Sequence, residues 1–154
     1  MGEPPGEVRE SSVVLLPHAP ASVAVARQRL CAELLAAGVF GDSADDAVVV
    51  MSELLSNALR HARPLPSGEV RVAWKRERDL LELRVSDGGS MTEPRCTRAA
   101  LSALGGRGLS IVDTLAHDWG VRRCGTGTTV WATVPIHVRP SAAVGQVVTV
   151  PRAR

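Results

Sequence analysis

The apolar positions change period several times along the chain, and each change predicts an element. Ser12-Val13-Val14-Leu15-Leu16 is a short apolar run closed by Pro17, the pattern of a strand. From Ala21 to Ala37 the apolar positions Val25, Leu30, Leu34 and Leu35 fall near helical spacing, and Gly38 supplies a stop. A second helix is expected to run to Ala62. Asp42 or Ser43 can cap it, Asp45 and Asp46 suit its first turn, and Pro64 closes it.

Two alternating runs follow the turn residues Pro64, Pro66 and Gly68. Glu69 to Arg76 and Leu80 to Asp87 each place every second residue on an apolar face (Val70, Val72, Trp74; Leu81, Leu83, Val85), and Glu77-Arg78-Asp79 links them as an antiparallel hairpin. Gly88 to Gly106 shows no such pattern; a long connection with a glycine pair at each end reads as a functional lid. Leu109 to Ala116 predicts a helix, and Trp119 to Arg122 and Thr128 to Pro135 predict strands. The order β-α-α-β-β-lid-α-β-β makes an α+β fold: two layers, with helices on one face of a mostly antiparallel, mixed sheet. One domain over 12–135 is expected, with a Gly/Pro/Glu-rich lead-in over 1–11. The tail over 136–154 is expected to be weakly ordered or to add one strand.

Composition narrows the function. With 16 acidic against 18 basic residues the net charge is +2, too balanced for a chain whose task is to coat nucleic acid or an anionic membrane. Phe40, Trp74, Trp119 and Trp131 are the only aromatic rings besides histidine, so single-stranded nucleic acid finds few stacking platforms, and the three tryptophans are expected in the core. No run reaches the roughly 18 apolar residues of a membrane span, and the N-terminus lacks the apolar segment of a secretory signal. Cys31, Cys96 and Cys124 are odd in number and widely spaced, which favours reduced thiols and a cytoplasmic location.

Four segments carry candidate chemistry. In the second helix, Ser52, Glu53, Ser56, Asn57 and Arg60 share one face, opposite Ala47, Met51, Leu54, Leu55, Ala58 and Ala62. Glu53 and Asn57 therefore sit one turn apart, suited to a hard cation or to orienting a hydroxyl, although a polar helix face alone is usually just solvated. Asp87 ends an apolar strand before Gly88-Gly89; it can accept a hydrogen bond from an exocyclic amine, but Asp-Gly is also a common turn. Gly105-Gly106-Arg107-Gly108 runs into a helix, where bare amides and Arg107 suit phosphate. This is not the dinucleotide fingerprint, since Ile111 stands where its third glycine belongs, and no G-x-x-x-x-G-K-[ST] loop occurs. Gly125-Thr126-Gly127-Thr128-Thr129 is a hairpin turn or a phosphate contact.

In this order the four segments resemble those of the histidine-kinase-like ATPases, and among them the small anti-sigma-factor serine/threonine kinases and related single-domain actinobacterial regulators. Glu53 to Asn57 with Ala58 and His61-Ala62 resembles the N box, Asp87-Gly88-Gly89 the first glycine box, Gly106-Arg107-Gly108-Leu109 the second, and Gly127-Thr128 the terminal Gly-Thr. The likeness spans roughly Leu15 to Pro135 and implies the Bergerat-type two-layer sandwich. It departs from the family pattern after the first glycine box, where Ser90-Met91-Thr92-Glu93-Pro94 replaces a further glycine-rich stretch.

The resemblance implies ATP and Mg²⁺ as cofactors. Asn57 is the implied Mg²⁺ ligand and Asp87 the partner of the adenine amine, with Gly89 making room for the base. Gly106, Arg107, Gly108, Leu109 and Thr128 are implied around the phosphates, and Glu53 is the implied general base toward a protein hydroxyl. Arg95 and Arg98 in the lid reach phosphate or are solvated, and Cys96 reads as a plain thiol. The implied partners are a sigma factor and an anti-sigma antagonist protein, with no direct nucleic-acid or membrane contact and a homodimer permitted. The alternative is a non-catalytic, ATP-dependent binding switch of the same fold.

Overall fold

The computed structural model describes residues 10–89, 107–125 and 127–139. Its elements are β1 (Glu10–Pro17), α1 (Ser22–Ala36), α2 (Asp42–His61), β2 (Glu69–Glu77), β3 (Leu80–Asp87), α3 (Arg107–Leu115), β4 (Asp118–Cys124) and β5 (Gly127–Pro135). The strands form one sheet in the order β1-β2-β3-β5-β4, and all four pairings are antiparallel. The result is the expected α+β architecture. No helix among the described residues is long and apolar enough to cross a membrane.

Strand alternation decides which face is covered. Val14 and Leu16, Val70 and Val72, Leu81, Leu83 and Val85, and Val130, Ala132 and Val134 are all buried, and they form one core with Leu30, Leu34, Met51, Leu54 and Leu55 of the helices. Glu33 of α1 ties the layers together: its Oε1 accepts hydrogen bonds from Ser12 Oγ (2.6 Å) and from Trp74 Nε1 (3.0 Å). Trp74 and Trp119 lie in the core as expected, Trp119 donating to Asp113 Oδ1 at 2.8 Å. Trp131 departs from expectation. It falls between the inward-facing Val130 and Ala132, so the period of two turns it to the other side of the sheet, where its half-buried indole lies over Gly120.

Three further boundaries differ from the sequence reading. The N-cap of α2 is Gly41 at φ +74°, with no side-chain cap. Ser43 instead donates to Phe40 O (2.9 Å) and accepts from His137 N (3.0 Å), so the hydroxyl joins two segments distant in sequence. Helix α3 begins at Arg107, two residues earlier than expected, which puts Gly108 inside its first turn. The chain beyond β5 stays packed to Arg139: Ile136 is buried, Val138 bridges Val39, Arg139 N bonds Gly38 O (2.8 Å), and the Arg139 guanidinium lies 4.7 Å from the Phe40 ring centre. Of the lid expected over 88–106, residues 90–106 with Arg95, Cys96 and Arg98 lie outside the described residues, as does the tail from 140 onward.

Candidate functional site

The site is built where β3 ends, β5 begins and α2 crosses them. Asp87 and Thr128 are register partners on β3 and β5, and α2 packs on both strands. Asp87 continues the buried alternation of Leu81, Leu83 and Val85, so a carboxylate occupies a position where the pattern calls for a hydrophobe. It is only 4% exposed. Burial pushes its pKa up to about 6, partly offset by a hydrogen bond from Gly89 N to Oδ1 (2.8 Å) and by the charge of His18.

The two glycines after Asp87 have different roles. Gly88 is required by space: a Cβ there would lie 2.1 Å from Pro64 O. Gly89 has φ +105°, a conformation that side chains disfavour, and it is buried. A reciprocal pair of bonds, Gly88 N to Arg63 O (2.8 Å) and Arg63 N to Gly89 O (2.9 Å), clasps this segment to the chain leaving α2. Spacing alone did not reveal this clasp, because the residues that meet are far apart in sequence and bond through their main chains.

Helix α2 supplies Asn57 and Glu53. Asn57 lies seven residues after Val50 and three after Leu54, both in the core, so it falls on the flank of the apolar stripe and is 7% exposed. The sequence reading placed it on a polar face with Ser52. Ser52 is buried as well, its hydroxyl satisfied by Val48 O at 2.8 Å. Glu53 and Ser56 are half-buried and Arg60 is exposed.

Asn57 Oδ1 and Thr128 Oγ1 are buried polar atoms without a hydrogen-bond partner. An unsatisfied buried group costs about 1–3 kcal/mol, so these two atoms, on α2 and β5, are candidates for polar ligand atoms. Oδ1 of Asn57 is a hard oxygen donor suited to Mg²⁺, and Oγ1 of Thr128 suits a phosphate oxygen. Thr129, the next residue, faces the other way and is satisfied by Ser86 Oγ at 2.7 Å. Arg107, Gly108 and Leu109 form the first turn of α3, which packs along α2; Gly106 lies outside the described residues.

The two-layer α+β fold thus combines a buried strand-end aspartate, a glycine pair and an asparagine on the crossing helix. The sequence profile of the histidine kinase-like ATPase domain matches residues 16–134, and the chain belongs to that family. It is similar to the serine-protein kinase RsbW of Listeria innocua, 29% identical over 115 residues, which covers 67% of this chain and 73% of the relative. The serine-protein kinase RsbW of Listeria monocytogenes matches to the same extent. The crystal structure of the RsbU and RsbW domains of a Mycobacterium tuberculosis protein superposes with a TM-score of 0.61 at 20% identity. That match covers 84% of this chain and 33% of the solved one, and it shows the shared fold.

Proposed function

We propose that the chain binds Mg-ATP and acts as an anti-sigma-factor-type serine/threonine protein kinase, holding a sigma factor and phosphorylating an antagonist protein in the cytoplasm. The observation that supports ATP binding best is the convergence of buried Asp87 with the unpartnered Asn57 Oδ1 and Thr128 Oγ1. In this reading the Asp87 carboxylate accepts the exocyclic amine of adenine, and Gly89 leaves room for the ring. Thr128 and the chain opening α3, Gly106 to Leu109, hold the phosphates. Asn57 is a ligand of Mg²⁺, which when bound offsets phosphate charge. Glu53, one turn before Asn57, takes the proton of the attacking Ser or Thr hydroxyl. The likeness to RsbW serine-protein kinases supports the kinase reading and the class of partners.

Titration of Mg-ATP into wild type, Asp87→Asn and Glu53→Ala, followed by an assay of γ-phosphate transfer to candidate antagonist proteins, tests this reading. Binding is expected to weaken at least tenfold in Asp87→Asn. Glu53→Ala should bind and fail to transfer. Normal binding by Asp87→Asn overturns the site, whereas wild type that binds ATP yet phosphorylates no antagonist is a binding switch.

A further inference from the structure

After β5 the chain runs back along the connector between α1 and α2 in a fixed register. Phe40 N donates to His137 O (2.9 Å), Val39 and Val138 form an antiparallel bridge, and Arg139 N donates to Gly38 O (2.8 Å). Continued in the same sense, this path carries the residues after Arg139 past Ala37 and along the last turn of α1. Five residues reach at most about 18 Å, roughly three times the length of a helical turn. That turn is one wall of a cleft: Glu33, Leu34 and Ala37 line it from α1, and Trp74, Arg76 and Leu81 from β2 and β3. Its polar groups are unequally satisfied. Glu33 Oε1 already accepts from Ser12 Oγ and Trp74 Nε1, whereas Arg76 Nε is buried without a hydrogen-bond partner, and a buried N–H calls for an acceptor.

We infer that this cleft is the seat of the chain's own C-terminal segment, with Ala142, Ala143 and Val144 packed between α1 and the β2–β3 hairpin and a main-chain carbonyl of that segment accepting from Arg76 Nε. The open space is about 260 Å³, below the roughly 300–1,000 Å³ of small-molecule sites, and it suits a few small side chains. Ser141 to Val144 supply those side chains, one carbonyl each and no charge to bury, beside the apolar Leu34, Ala37 and Leu81. The N-terminal residues also begin near Arg76, since Glu10 is its register partner, but they carry Glu3, Glu7, Arg9 and two prolines. The cleft lies at the start of β3 and Asp87 at its end, so seating the segment ties the two layers together away from the nucleotide site and is independent of how that site is read.

The test is NMR of the full chain. Wild-type backbone order parameters at 142–144 are expected near the rigid value of about 0.85, and Arg76→Leu, which keeps an apolar stem and removes the donor, should lower them; wild-type values below about 0.6 overturn the proposal. The chain has three tryptophans, and Trp74→Phe identifies the indole N–H signal that reports on the cleft. Val144→Asp should shift that signal and leave the other two in place, and Val144→Ile should leave all three at their wild-type positions. A Trp74 signal that ignores Val144→Asp and responds to Val8→Asp assigns the cleft to the N-terminal residues, and one that moves with protein concentration assigns it to a second copy. Either result overturns the proposal.

Discussion

Asp87 and Thr128 face each other across β3 and β5 on the helix-covered side of the sheet, and neither is an ordinary core residue. One is a carboxylate whose charge burial disfavours, and the other is a hydroxyl with no partner. Nucleotide binding, as proposed, is what such a pair would be retained for, and the cost of retaining it can be measured without nucleotide.

Asp87→Asn is expected to stabilise the empty protein at neutral pH. The folded-state pKa of Asp87 is raised to about 6, so its contribution is most favourable below the ordinary carboxylate pKa and is lost as pH rises through 6. The shift corresponds to about 2–3 kcal/mol. Asparagine keeps the acceptor for Gly89 N and removes the charge. Urea unfolding should show the variant gaining on wild type between pH 5 and pH 8, and a gap that narrows with rising pH contradicts the assignment.

Thr128→Val separates ligand binding from folding at the second member of the pair. The isosteric methyl removes an unsatisfied buried hydroxyl, so stability without nucleotide should be unchanged or higher by up to about 1 kcal/mol. Mg-ATP affinity should drop about tenfold, near 1.4 kcal/mol. Calorimetric titration beside urea unfolding gives both numbers. A variant destabilised by several kcal/mol would mean that the hydroxyl is part of the core's own bonding.

Gly88→Ala tests the clasp between the Asp87 loop and the exit of α2. Its methyl would lie 2.1 Å from Pro64 O, a backbone atom that cannot swing aside, so Gly88 N and Arg63 would part. A loss of about 1–3 kcal/mol is expected from overpacking, with Mg-ATP binding weakened as Asp87 shifts. Stability equal to wild type is the opposing result.

Glu33→Leu probes the link between the layers away from the site. The change leaves Trp74 Nε1 and Ser12 Oγ without their shared acceptor. Equilibrium unfolding should show a loss of about 1–3 kcal/mol, while Mg-ATP affinity, normalised to folded protein, stays at the wild-type value.

The elements were legible in the chain because each is decided locally. Alternation in Glu69–Glu77 and Leu80–Asp87, helical spacing ended at Gly38, and acids opening α2 all act within a few residues, and the observed order repeats the expected one. The motifs around Asn57, Asp87 and Thr128 were legible for a different reason: residue type and order pointed to a family, to which the profile match assigns the chain. Their geometry was not legible. That Asn57 is a buried flank residue, that Ser43 joins His137, and that Trp131 faces away from the core depend on which surface each element turns to its neighbours.

The sequence alone determined the α+β class and the order of its elements, and it singled out the candidate residues of the site, since these follow from period, turn residues and side-chain type. Only the tertiary structure decided that burial raises the pKa of Asp87 to about 6, that Asn57 Oδ1 and Thr128 Oγ1 are buried without partners, and that Arg63 meets the Asp87 loop from a distant position. Desolvation and hydrogen-bond satisfaction depend on what fills the space around a group, and that space is assembled from segments far apart in the chain.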